Sequence, residues 1–204
     1  METNTFPTKG NLIKTKSTLA LSKTGYDLLD KKRNILVREM MLMIEQAKVI
    51  QSQIDITFSD AYKALQQANI SIGINTVDQI SNSVKAEERI EIKVRSIMGV
   101  EIPMVNLVKE DLQVQYGLAR TPITLDEAYD KFSKVKELTI ALAEVENAIY
   151  RLAINIKRTQ KRANALKNIL IPRYTKLTKS IQNALEEKER EEFTRLKMIK
   201  NIQK

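Results

Sequence analysis

The chain has 204 residues, 34 Lys and Arg against 25 Asp and Glu, nine Gly and Pro together, and no Trp, Cys or His. Such a composition favours long, uninterrupted helices, and it excludes disulfides, thiolate metal sites and the commonest general base. No apolar run reaches the roughly 18–20 residues of a bilayer span, and residues 1–18 carry no signal core, so a soluble, cytoplasmic product is expected.

The net charge of +9 is unevenly placed: residues 1–50 hold nine basic and five acidic side chains, and residues 151–204 hold fifteen and five. The middle hundred residues are therefore acidic overall. If the terminal segments lie side by side, they form a strongly basic end opposite an acidic one.

Pro7 and Thr8 mark a turn or a helix entry, and residues 9–69 then read as one helix, ~90 Å long at about 1.5 Å per residue. Steps of three and four residues pass through Leu12, Thr15, Leu19, Ser22, Tyr26, Leu29, Arg33, Leu36, Met40, Met43, Ala47, Ile50, Ile54, Thr57, Ala61, Ala64 and Ala68. Thirteen of these seventeen are apolar, a heptad seam that weakens near Thr15, Ser22 and Arg33. Val37, Ile44, Phe58 and Leu65 widen it over residues 35–65, either as looser packing or as a face for a partner. Gly25 is expected to allow close approach of a second helix and not to end the first.

Residues 70–122 break this pattern. Ser71 and Gly73 end the helix, and Thr76 with Gln79 forms a candidate capping box for a short helix through Ser83. Ile90, Ile92 and Val94 alternate with Glu91 and Lys93, and Val100 and Ile102 flank Glu101, so a β-hairpin is expected over about residues 89–103. Its turn falls within residues 96–99, and Pro103 belongs at the end or edge of the second strand. A lone hairpin is marginal in water, so it must lean on the helices or on a partner. Residues 116–120 read as a loop.

Thr124 with Glu127 suggests a second capping box, opening a helix over residues 124–202. From Val135 its seam runs through Leu138, Leu142, Val145, Ile149, Leu152, Ile156, Thr159, Ala163, Leu166 and Leu170, ten of eleven positions being apolar. Pro172 removes one helical hydrogen bond at a cost of about 3 kcal/mol. A kink is expected there, with continuation through Leu177, Ile181, Leu185 and Leu196. The fold predicted is all-α dominated: one elongated domain, an antiparallel two-stranded coiled coil of the N- and C-terminal helices, with the short helix and hairpin at its distal end.

No Gly-rich phosphate loop, HExxH, Ser/His/Asp set or acidic metal cluster is present, so neither catalysis, a cofactor nor a metal is expected. The run Glu186 to Glu192 interleaves Lys188 and Arg190 and reads as a solvated helix face. The basic row Arg158, Lys161 and Arg162 could meet phosphates, but aromatic stacking residues and groove-reading modules are not evident. A basic coiled-coil scaffold, or one associated with nucleic acid, is the alternative the charge leaves open.

Several blocks carry a resemblance. The stretch Thr24-Gly25-Tyr26-Asp27-Leu28-Leu29-Asp30-Lys31-Lys32-Arg33 resembles the first-helix block of the D subunits of the V/A-type rotary ATPases. Arg162-Ala163-Asn164-Ala165-Leu166 with Ile171-Pro172 is similar to that family's Arg-Val-Asn-Ala-Leu and Ile-Pro block, and Glu189-Arg190-Glu191-Glu192-Phe193 with Arg195-Leu196-Lys197 to its C-terminal signature. Ser96-Ile97-Met98-Gly99-Val100 with Pro103 resembles its hairpin. The chain departs from the pattern at Ala163, where Val is usual, and at Gln160 and Lys161, where a run of Arg is common; residues 70–84 align little.

The resemblance implies a noncatalytic central rotor shaft. Its terminal end would enter a ring of three A and three B subunits, the F subunit would clasp it, and the d (or C) subunit would link it to the membrane rotor, with no membrane insertion and no nucleic acid. On that reading Lys14, Lys32, Arg33, Arg158, Lys161, Arg162 and Arg190 are the expected ring contacts. The hairpin is expected to modulate turnover or coupling.

Overall fold

A computed structural model describes residues 6–84, 90–107, 117 and 121–202. In chain order it contains α1 (Lys9–Ile72), α2 (Ile74–Ser81), β1 (Ile90–Ile97), β2 (Val100–Leu107), α3 (Ile123–Ala165), a π-helical turn (Leu166–Leu170) and α4 (Ile171–Ile202). The chain thus has a long N-terminal and a long C-terminal helix with a short helix and a hairpin between them. It divides into two compact units, one of Met1–Ile35 with Ile156–Lys204, the other of Leu36–Asn155. The loop expected at residues 116–120 lies outside the described residues except Gly117.

Thr8 caps α1: its Oγ1 accepts from the Asn11 amide at 3.3 Å, and its carbonyl accepts from Leu12 at 3.0 Å. The helix ends three residues later than expected, because Ser71 stays helical, bonding back to the Gln67 carbonyl, and Gly73 makes the break. At φ 89° and ψ 147°, Gly73 occupies a region that side chains all but exclude. Gly73 is also the N-cap of α2, without a side-chain cap bond, so Thr76 lies inside that helix and its capping box does not form. The second box fails similarly. α3 starts at Ile123 behind Pro122, whose carbonyl accepts from Leu125 at 2.9 Å, and Thr124 Oγ1 is buried without a partner.

In the first unit, named contacts fix an antiparallel helix pair: Lys9 meets Glu189, Gly25 faces Leu166, Tyr26 lies under Lys167, and Arg33 meets Gln160. As one number rises the other falls. The polar seam positions Thr15, Ser22, Thr159 and Thr178 are buried here. Thr15, Ser22 and Thr178 satisfy their hydroxyls on carbonyls four residues back, so small polar groups sit in the seam without orphaned donors.

Pro172 produces the π turn. The Ile171 amide reaches back five residues to the Leu166 carbonyl, which adds one residue to the turn before the proline. The seam shifts accordingly. Two heptads from Ala163 would reach Leu177, and three from Thr159 would reach Ser180; the buried residues of α4 are instead Thr178 and Ile181, each one position later. Leu177 and Leu185 stay half-buried, but residues 186–202 are exposed throughout. Leu196, expected to continue the seam, is 65% exposed, so the buried seam of α4 does not reach it.

The second unit has its own core: Leu36, Ile54, Ala61, Ala64 and Ala68 from α1, Leu125, Ala128, Val135, Ala148 and Leu152 from α3, and Val100 and Ile102 from β2. The run Ala61, Ala64 and Ala68 gives α1 a small-residue face that lets a neighbouring backbone approach closely. Phe58, Tyr62 and Phe132 add a stacked and an edge-to-face pair, with centroids 5.8 and 5.6 Å apart.

The hairpin extends to Leu107, four residues beyond the expected end. Met98 and Gly99 alone make the turn, both with positive φ (50° and 74°), the backbone of a type I′ turn. Ile97 therefore pairs with Val100 and Val94 with Pro103. Pro103 lies mid-strand because its pair is one in which neither residue donates to the other, so the ladder needs no N–H from it.

Candidate partner-binding surface

All seven cations singled out in the sequence belong to the first unit. Lys14, Arg158, Lys161, Arg162 and Arg190 are exposed, and Lys32 is half-buried. Arg158, Lys161 and Arg162 follow the three- and four-residue spacing of one helix face. The unit as a whole holds 21 basic and eight acidic residues, a net +13, whereas the second unit is net −4. Packing segments 1–35 and 156–204 together thus concentrates positive charge that is separated along the sequence.

Arg33 differs from the other six. Its guanidinium bridges to Asp30 at 2.8 Å, donates to Gln160 Oε1 at 2.8 Å and to Asn34 Oδ1 at 3.0 Å, and is only 29% exposed. Gln160 in turn donates to Asn164 Oδ1 at 2.8 Å. Three of its partners act as acceptors within the chain, so Arg33 organises the helix pair. Sequence periodicity marked it merely as a weak seam position, and nothing local identifies Gln160 as its mate.

A second set of contacts also escaped the sequence. Glu144 Oε2 accepts from the Val105 amide at 3.0 Å, and Arg151 Nη1 donates to the Glu101 carbonyl at 3.3 Å. Both side chains project from α3 onto β2. The hairpin does lean on a helix, through these polar contacts and through buried Val100 and Ile102.

The C-terminal run is a different surface. Among residues 186–202, Phe193, Leu196, Met198, Ile199 and Ile202 are exposed beside Glu187, Arg190, Glu191 and Arg195. Arg190, Met198 and Ile199 line one shallow open groove along it. Among the described residues no cluster of three or more metal-ligating side chains occurs, and no described helix is long and apolar enough to cross a membrane. The surface offers charge and apolar contact to a partner.

Comparison with known proteins places the chain in a family. A family model described as that of the ATP synthase D subunit matches residues 11–201. The V-type ATP synthase D subunit of Thermotoga neapolitana is 42% identical over 194 residues, covering 95% of this chain and 96% of that protein. The A-type ATP synthase D subunit of Pyrococcus abyssi is 37% identical over 199 residues, with 96% and 93% covered. That of Methanopyrus kandleri is 36% identical over 198 residues, with 96% and 85% covered.

Proposed function

This chain belongs to the ATP synthase D-subunit family, and we propose that it is the noncatalytic central shaft of a V/A-type rotary ATPase. In this role it transmits torque between nucleotide turnover in a ring of three A and three B subunits and H⁺ or Na⁺ movement through the membrane rotor. The chain works in the soluble sector, peripheral to the membrane on the cytoplasmic side. Its first unit enters the ring. The F subunit and the d (or C) subunit bind elsewhere along it.

The observation that carries this reading is the antiparallel helix pair of the first unit, net +13 and locked by Arg33 and Gln160, in a chain matched to the family over residues 11–201. A shaft needs resistance to bending and an asymmetric surface. Two interlocked helices provide the first, and uneven placement of Lys14, Lys32, Arg158, Lys161, Arg162 and Arg190 provides the second. The exposed apolar residues of 186–202 gain cover once inside the ring.

Mixing the chain with the F subunit and the A/B ring tests the proposal. A stoichiometric complex with altered ATPase activity is expected. Failure to assemble, with no effect on hydrolysis, overturns it.

A further inference from the structure

Leu166, where the π turn begins, packs against α1 at Gly25, and Lys167 lies over the Tyr26 ring at 5.7 Å from its centroid. Both helices of the first unit are therefore irregular at the same level. Between α3 and α4, Ile171 sends its N–H five residues back to Leu166, and Pro172 has no N–H. Two successive residues thus lack the bond to the fourth residue back that stiffens an α-helix. On α1, Gly25 presents no side chain. Apart from its own helix, among the described residues only Leu166 Cδ1 comes within 4 Å of where a Cβ would stand, at 3.8 Å. A glycine in a helix interior and a π turn before a proline are both weak places, and helices kink at the second.

The pair is held differently on the two sides of this level. On one side Arg33 donates across to Gln160, which donates on to Asn164, while Asp30 fixes the guanidinium from its own helix. On the other side the hydroxyls turn inward to their own helices. Thr15, Thr18, Ser22 and Thr24 on α1, and Thr175 and Thr178 on α4, each donate to the carbonyl four residues back. Such bonds tie no helix to its neighbour, and they favour bending of the helix that carries them. Lys9 and Glu189 join the far ends at 3.1 Å, but with side chains 79% and 61% exposed they make a weak tie.

We propose that Gly25 and the π turn form a flexure in the helix pair. Residues 9–24 with 173–190 tilt as one body against residues 26–35 with 156–165, which Arg33 and Gln160 clamp. Because both helices yield at the same level, the seams on either side stay packed while the pair bends. Of the cations expected to meet the ring, Lys14 and Arg190 lie on the tilting side, whereas Lys32, Arg158, Lys161 and Arg162 lie on the clamped side. Bending lets the two groups take up their contacts independently, a use that rests on the shaft reading. The flexure itself belongs to the free chain and does not depend on that reading.

Spin labels on introduced cysteines test the proposal, since the chain has no Cys of its own. Lys157→Cys with Asn183→Cys spans the flexure. Met41→Cys with Gln67→Cys spans an equal number of residues of uninterrupted α1 in the second unit, and all four positions are exposed. In the free full-length chain, double electron–electron resonance should give the first pair a distance distribution at least about twice as wide as the second, as variable bending at a π turn and proline requires. Gly25→Ala, which fills the space beside Leu166, should narrow it part of the way. Gly25→Ala with deletion of Asn168 and Pro172→Ala, which makes both helices regular, should narrow it to the control width. In the complex rebuilt with the F subunit and the A/B ring, the mean distance of the first pair is expected to shift by at least about 2 Å while the second stays unchanged. A first pair as narrow as the second, or equally wide in both variants, overturns the flexure. An unshifted mean in the complex overturns its use in the ring. Failure of the unsubstituted chain to assemble defeats the shaft reading instead, and the free-chain result stands without it.

Discussion

Arg33 donates from Nη1 to Gln160 Oε1 at 2.8 Å, joining α1 to α3 across 127 positions of sequence. The family block resembled by this chain commonly carries Arg around position 160, where a second guanidinium would face the first. Gln160→Ala is expected to cost about 1 kcal/mol by removing the acceptor, and Gln160→Arg more, through like-charge contact. Thermal melting of both variants, with Arg33→Met as the second edge of a double-mutant cycle, checks this. Equal melting temperatures across the cycle would show that the pair contributes nothing.

Gly25 faces Leu166, and a Cβ built on it would lie 3.8 Å from Leu166 Cδ1, an ordinary van der Waals distance. Gly25→Ala should therefore gain about 0.5–1 kcal/mol from helix propensity and lost unfolded-state entropy. Urea unfolding measures it. A loss of stability would mean that the helices approach more closely than 3.8 Å implies.

The π turn and Pro172 set the phase of α4. Removing one residue from the turn by deleting Asn168, with Pro172→Ala, restores uninterrupted heptad spacing and should leave Thr178 and Ile181 buried. Stability is expected to hold or rise by up to about 3 kcal/mol, the cost of an interior proline. Pro172→Ala alone should gain much less, since closing the turn without the deletion would rotate these residues out of the seam. Calorimetry of the three proteins decides the matter; equal gains in both variants would refute the phasing argument.

Glu144 and Arg151 pin β2 to α3. Glu144→Ala should accelerate exchange of the Val105 amide by at least about tenfold, since a hydrogen bond to a charged group contributes roughly 1.5–3 kcal/mol, with helicity unchanged. Glu144→Gln keeps an acceptor and should lose less. Unaltered exchange at Val105 in both variants would show that Val100 and Ile102 hold the hairpin without help.

Charge reversal at Arg162 and Arg190 tests the ring contacts of the shaft. Each substitution to Glu should weaken association with the A/B ring by about tenfold at low ionic strength and flatten its salt dependence, because both side chains are exposed and act through screened attraction. Binding that stays unchanged through a salt titration removes these residues from the interface.

Much of the fold was legible in the sequence because helix burial has a short period. All seventeen seam positions of α1, from Leu12 to Ala68, are buried or half-buried, as are the eleven from Val135 to Leu170. Charge placement was legible too, since it depends on which segments pair and the seams dictate that. Both capping boxes were misread: Gly73 and Pro122 set the helix starts through backbone geometry, which took precedence over side-chain caps.

By itself the sequence determined the helical seams, the existence of the hairpin and the family blocks, all of which are patterns within one segment. Tertiary structure decided which acceptor Arg33 meets, that the seam advances by one residue at Pro172, that residues 186–202 stay uncovered and which face of the hairpin packs. The physical reason is parity and phase. A two-residue turn puts Val100 and Ile102 on the face opposite Ile92 and Val94, and one extra residue in a helical turn moves burial from Leu177 to Thr178. Each is a single-residue displacement that leaves the local pattern intact and changes everything that it faces.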